Sequence, residues 1–108
     1  MIEAMRYITA DEYTAEQAWQ ALDIARIEGA SVRLHWTDSP YKWHVNDGQE
    51  VFVVLDGAVD MHVRDTNGKV TITHMQPGMI AHATEGVEHV AHPLVPSRIL
   101  VIERDGSV

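Results

Sequence analysis

Short segments dominate this chain, and in each of them apolar residues either alternate with polar ones or run together between turns. The segment AVDMHVR alternates, so Val59, Met61 and Val63 are predicted to face inward. A TNG turn at 66–68 follows, and KVTITH alternates again, which is the pattern of a β-hairpin. Short strands at close spacing are typical of an antiparallel sandwich or barrel. The sequence therefore predicts an all-β fold.

The remaining segments extend this prediction along the chain. Further strands are predicted in LDIARI, SVRLHW, EVFVVL, MIAHA, VEHVAH and RILVIE. One short helix is predicted in TAEQAWQAL, where Thr14 and Gln17 have the spacing of a capping box. Composition does not break anywhere, so one domain is expected, with the helix and first strand in residues 1–29 and a β-barrel in residues 30–108.

Composition excludes several classes of function. The 108 residues carry a formal charge of −8, which disfavours nucleic acid or an anionic membrane as a partner. There is no cysteine, so thiolate metal sites and disulfides are excluded. No apolar run has the length of a signal peptide or a membrane span, and a cytoplasmic protein is the default expectation.

Seven histidines are the most informative feature of the composition. His62, His74 and His92 lie at outward positions or strand ends and are expected to be structural or exposed. His35 and His82 could each line an interior cavity or face solvent.

His44, Glu50 and His89 differ from the others because each lies beside a turn that contains glycine. If the strands of His44 and Glu50 are hairpin partners, their side chains face the same way, and a strand carrying His89 completes a set of two imidazoles and one carboxylate. Such a set suits Fe, Mn, Ni or Zn and leaves coordination positions open. The alternative is that Glu50 marks a solvent-exposed strand start.

These residues resemble the two motifs of the small single-domain cupins, of the cupin type-2 kind. His44, Asn46, Glu50 and Gly57 reproduce the spacing of the first motif, with Asn46 in place of its second histidine. In the second motif, TEGVEH supplies the glycine and the histidine in register, with threonine in place of proline. The glycine expected six residues before the first histidine is also replaced, by Asp38.

The resemblance implies a cupin jelly-roll-like antiparallel β-barrel with a divalent metal ion in its mouth. Carried over residue by residue, the ligands are His44, Glu50 and His89, and Asn46 occupies the position of the remaining ligand. An amide oxygen is a weaker ligand than an imidazole for such metals. Asn46 also opens a favourable turn sequence and could be present for backbone reasons. The resemblance further implies a homodimer, since small cupins commonly pair through strand edges.

Several residues are candidates for contact with a small organic molecule. Trp36, Tyr41 and Trp43 are close to His44 in sequence and could form an aromatic rim, although ordinary packing explains them equally well. Arg33 could pair with a substrate carboxylate, and His82 is a further candidate if its strand faces the cavity.

Two functions, and a weaker third, remain open on the sequence. The first is a metal-dependent enzyme of the dioxygenase, isomerase or lyase type, for which Tyr41, His35 and His82 are candidate bases without a basis for choosing among them. The second is a non-catalytic cupin that binds or senses a small ligand and has a degenerate metal site, which Asn46 favours. A mainly structural role through dimerisation is the third. A fold alone does not decide among them.

Overall fold

In the structure, a computed structural model that describes residues 4–107, the regular secondary structure consists almost wholly of β-strands. A single turn of 3-10 helix at Ala10–Glu12 precedes the strands. No helix within the described range is long and apolar enough to cross a membrane. The strands are β1 (Gln20–Ile27), β2 (Ala30–Thr37), β3 (His44–Val45), β4 (Glu50–Asp56), β5 (Val59–Arg64), β6 (Val70–Met75), β7 (Ile80–Ala83), β8 (Glu88–Pro93) and β9 (Ser97–Arg104).

The strands form two antiparallel sheets. One has the order β1-β2-β9-β4-β7 and the other the order β3-β8-β5-β6. This arrangement confirms the predicted all-β antiparallel class. A tight turn joins β1 to β2, with Glu28 and Gly29 both at positive φ and Ile27 opposite Ala30. The first strand of the predicted N-terminal part therefore belongs to the same sheet as the barrel strands.

The hydrophobic core lies between the two sheets and is built from their inward residues. Val59 and Met61 are buried as predicted, whereas Val63 lies near the end of β5 and is 36% exposed. The core cluster consists of Phe52, Val54, Val59, Met61, Met75, Ala91, Ile99 and Val101. Alternation with a period of two places these side chains on one face of each strand.

The prediction of a helix in TAEQAWQAL is wrong, because none of these residues is helical in the structure. Residues from Gln20 onward instead form β1, where Gln20 lies opposite Trp36 of β2. The backbone N–H of Trp19 already donates to the Trp36 carbonyl at 2.9 Å. Pairing along a whole strand satisfies more backbone groups than a two-turn helix with one cap could, so tertiary pairing overrides the local signal.

The turn between β4 and β5 requires glycine for two separate reasons. Gly57 has φ +92°, a conformation that side chains with a Cβ adopt at a cost. A Cβ at this position would also collide with the Ser97 hydroxyl and lie 2.8 Å from the Ser97 Cα. Ser97 cannot retreat easily, because it is fully buried and its hydroxyl donates to the Val95 carbonyl and accepts from the Ala58 N–H.

Gly57→Ala is therefore expected to lower the free energy of unfolding by about 3–5 kcal/mol, the sum of backbone strain and overpacking. Gly68→Ala is the matched control, since Gly68 has φ +82° but open space around its Cα. It is expected to cost only about 1–2 kcal/mol. Urea unfolding of the two variants measures the difference, and equal losses would show that the contact with Ser97 is unimportant.

Candidate metal centre

Strand pairing brings the two histidines of the predicted metal set together. β3 pairs with β8, and His44 lies directly opposite His89 in the register. Their ring centroids are 4.3 Å apart. Directly opposed residues of antiparallel strands project to the same face of a sheet, so both imidazoles point to the same side.

Glu50 approaches this pair from the other sheet, so β3 and β4 are not the hairpin partners that the sequence suggested. It is the first residue of β4, and its Oε1 atom lies 3.5 Å from His44 Nε2 and 3.7 Å from His89 Nε2. Ligand atoms from the three residues all lie within 4.8 Å of one another. The side chains of Glu50 and His89 are only 6% and 3% exposed. The structure thus assembles His44, Glu50 and His89 into one group that could hold a metal ion.

The hydrogen-bond geometry of His89 indicates that this group fits a cation. His89 Nδ1 lies 3.3 Å from the Val87 carbonyl, which can only accept, so Nδ1 carries the proton. Burial lowers the pKa of His89, and the nearby His44 lowers it further, which favours the neutral ring. The bare Nε2 is buried and lacks a hydrogen-bond partner within residues 4–107, although a carboxylate oxygen faces it. Two electron-rich atoms facing each other in a buried site are stabilised by a cation between them.

Asn46, the remaining ligand candidate, is tied to a neighbouring loop. Its side-chain Nδ2 donates to the Thr84 carbonyl at 3.1 Å, and its backbone N–H donates to the Val87 carbonyl. Its Oδ1 is buried and has no hydrogen-bond partner in the described part of the chain. Asn46 therefore has a structural role through its nitrogen and retains one free acceptor.

A cavity of about 230 Å³ adjoins the three residues. One wall is a continuous arc of rings, each in contact with the next, and it reaches from one sheet to the other. The rings in order are His35, Trp19, Tyr41, His44, His89 and Phe52, with centroid separations from 4.3 to 5.9 Å. The candidate metal ligands thus border a cavity with a largely aromatic wall, which suits a small organic molecule with an aromatic or apolar part.

Of the candidate ligand-contacting residues, Tyr41 and Arg33 line this cavity. The ring of Tyr41 makes an edge contact with His44 at 5.7 Å between centroids. Arg33 is already paired, because its Nε donates to Asp23 Oδ1 at 2.7 Å. The side chain of Arg33 is also 41% exposed, so it lies at the rim of the cavity.

Trp36 and Trp43 do not line this cavity, and their placement agrees with the packing alternative rather than with the aromatic rim. Trp36 follows His35 on β2, and alternation directs it to the opposite face. Trp43 packs beneath Arg64, whose guanidinium carbon lies 4.0 Å from the ring centroid, and contacts His62. Sequence proximity to His44 did not determine which way these rings point.

His82 also lies outside the group of three. It is exposed, and its Nε2 is 2.7 Å from the side-chain oxygen of Gln49. It contributes instead to a second cavity of about 220 Å³ on the other side of His89. This position does not support His82 as a substitute ligand.

Glu103 is a site residue that the sequence analysis missed. It lies on β9 directly opposite Glu50 and lines the same cavity. Burial, together with the hydrogen bond to Glu50 and the charge of Glu50, raises the pKa of Glu103 to about 8. The alternation of RILVIE contained the signal, since Ile99, Val101 and Glu103 share one face. An acid on the inward face of a strand is a candidate site residue.

Known structures share this fold. A cupin-2 domain-containing protein from Shewanella frigidimarina NCIMB 400 has a TM-score of 0.73 and 26% identity, and the match covers 83% of this chain and 84% of that chain. A cupin superfamily protein from Desulfitobacterium hafniense DCB-2 has a TM-score of 0.77 at 11% identity, over 96% of this chain and 94% of that chain.

A larger protein contains a similar domain. Hydroquinone 1,2-dioxygenase in complex with Fe³⁺ has a TM-score of 0.76 at 16% identity, and the match covers 84% of this chain but only 29% of that chain. No protein-family model matches the sequence, and no curated protein matches it either.

The raised pKa of Glu103 predicts how the stability of metal-free protein depends on pH. Between pH 4.5 and about 8 the folded state holds a proton that the unfolded state has lost, so stability falls as pH rises through this range. His35 and His89 have lowered pKa values and oppose this trend near and below pH 6.5, where the unfolded state binds a proton at each ring and stability therefore rises with pH. Their contribution is small above about pH 7.5. From pH 7.5 to about 8.5 the free energy of unfolding should therefore drop, by on the order of 0.5 kcal/mol after solvent screening.

Urea unfolding of chelated protein at several pH values measures this drop. Glu103→Gln should abolish it, whereas Glu85→Gln, which changes an exposed carboxylate, should leave it intact. A drop that persists in Glu103→Gln would assign the titration to another group.

Proposed function

Because this chain is a small cupin domain, we propose that it is a metal-dependent enzyme whose divalent ion is held by His44, Glu50 and His89 and whose substrate is a small organic molecule in the adjacent cavity. The observation that carries the proposal is the buried, bare Nε2 of His89 facing the Glu50 carboxylate at 3.7 Å. Two imidazoles and one carboxylate are a donor set for Fe, Mn, Ni or Zn.

The protein residues have definite tasks in this proposal. The Val87 carbonyl orients the His89 ring and fixes its tautomer, which is the usual role of a partner behind a metal-binding imidazole. Asn46 Oδ1 is a candidate fourth ligand, since it is buried and free to accept. Tyr41 and Phe52 border the cavity and reduce the access of water.

A bound divalent ion would supply Lewis acidity or a site for oxygen, which suits reactions of the dioxygenase, isomerase or lyase type. The shared fold of the iron-containing dioxygenase supports iron as one candidate metal. Three protein ligands leave open positions for a substrate oxygen.

The alternative is a non-catalytic domain that binds a small ligand through a weakened site. The observation that favours it is the hydrogen bond from the Asn46 side-chain nitrogen to the Thr84 carbonyl, which gives Asn46 a structural role.

The two proposals differ in whether a bound ion has coordination positions that an added ligand can occupy. In cobalt-substituted protein, added azide should change the visible absorption spectrum if open positions exist, and an unchanged spectrum would favour the alternative.

Metal content tests the proposed ligand set directly. Wild-type protein loaded with Zn²⁺ and desalted is expected to retain one ion per chain, and His89→Ala should retain less than a tenth of that amount, because one ligand of three is lost. His74→Ala is the matched control, since His74 is exposed and pairs with Asp60 elsewhere on the fold. Elemental analysis provides the readout, and equal zinc in wild type and His89→Ala would contradict the ligand assignment.

Thermal stability gives a second readout of the same prediction. At a free metal concentration 100 times its dissociation constant, binding should stabilise the wild-type fold by about 2.7 kcal/mol. The melting temperature of His89→Ala should not respond to zinc. Wild-type protein that neither retains zinc nor gains stability from it would rule the proposal out.

A further inference from the structure

Trp19 has a strained backbone at the edge of the cavity. Its φ is +65°, in the left-handed region that a bulky residue rarely adopts. Two hydrogen bonds hold this conformation: the backbone N–H donates to the Trp36 carbonyl at 2.9 Å, and the indole Nε1 donates to the Ser39 carbonyl at 2.8 Å. Such strain persists only where the surrounding structure imposes it, and it is often found at functional sites.

In this conformation the carbonyl oxygen of Trp19 lies 2.8 Å from Nδ1 of His35. A carbonyl can only accept a hydrogen bond, so Nδ1 of His35 carries a proton. Burial lowers the pKa of His35, which favours the neutral ring. The neutral ring has one proton, so Nε2 is left with a free lone pair. The Trp19 carbonyl therefore fixes the tautomer of His35.

His35 lies at the far end of the ring arc from the candidate metal ligands. Trp19 and Tyr41 stand between His35 and His44, with edge contacts of 5.8, 5.9 and 5.7 Å along the series. All of these side chains line the same cavity. The cavity thus combines the candidate metal ligands, an aromatic wall and, beyond that wall along the ring arc, a second imidazole.

We propose that His35 accepts a hydrogen bond from the bound ligand through Nε2, and that Trp19 is the positioning residue that holds His35 in this state. The ligand is then a small planar molecule with an oxygen donor at one end and a hydroxyl or N–H group at the other. This inference rests on the proposed function, because the oxygen donor is directed to the ion at His44, Glu50 and His89.

The tautomer of His35 is the first test, and it requires neither metal nor ligand. Nitrogen NMR shifts of chelated, ¹⁵N-histidine-labelled protein at pH 7.5 report which ring nitrogen is protonated, and His35→Gln identifies the resonances. We expect protonation at Nδ1 and a bare Nε2. Protonation at Nε2 would overturn the inference.

A matched pair of phenols tests the ligand class. The probes are 1,4-dihydroxybenzene and 4-methoxyphenol, which differ in one hydrogen-bond donor, and calorimetry with Zn²⁺-loaded protein under argon measures their binding. His35→Leu should weaken the dihydroxy probe about tenfold and leave the methoxy probe within about twofold. His35→Gln retains an acceptor oxygen and should keep affinity for the dihydroxy probe within about threefold of wild type.

The inference would be overturned if His35→Leu lost the same affinity for both probes, or lost affinity for neither. A wild-type protein that binds neither probe would also overturn it. The same titrations in chelated protein separate this inference from the proposed function. If wild-type protein does not bind zinc, the proposed function fails, and the His35-dependent difference between the two probes still decides whether His35 accepts from a ligand.

Discussion

The Glu50 carboxylate lies within 3.7 Å of the imidazoles of His44 and His89 in a buried space between the two sheets. The electrostatics of the candidate site depend on this contact. Glu50 begins a strand of the five-stranded sheet, whereas the two histidines are opposed on strands of the four-stranded sheet. A buried carboxylate that faces the bare Nε2 of His89 is stabilised by a compensating positive charge. The fold therefore constructs a group whose electrostatics favour a cation.

Glu103 adds a second carboxyl group beside Glu50 and so increases the need for positive charge at the site. Two carboxylates lie directly opposite each other on β4 and β9, and one of them keeps a proton at neutral pH because of burial and the charge of the other. A proton and a metal ion are alternative sources of positive charge at such a pair. A metal ion bound at the neighbouring ligand set would therefore favour the ionised form of Glu103.

The aromatic side of the cavity depends on a different constraint, the left-handed backbone of Trp19. That conformation lets Trp19 contribute a ring to the wall and a carbonyl to His35. A capping signal in the sequence predicted a helix across this segment, and the helix is absent because β1 pairs with β2 from Gln20 onward. The local prediction thus fails at Trp19, where a strained backbone positions the cavity residue His35.

The sequence by itself determined the all-β class, every strand except the short β3, and the candidate ligand group of His44, Glu50 and His89. Period-two alternation, glycine turns and motif spacing are local properties, and each is visible in a short stretch of chain. The tertiary structure alone decided that Trp36 and Trp43 lie outside the aromatic wall, that Trp19 and His35 belong to it, and that Glu103 faces Glu50. These facts depend on which face of each strand meets the other sheet, and that choice is made by pairing between segments distant in sequence.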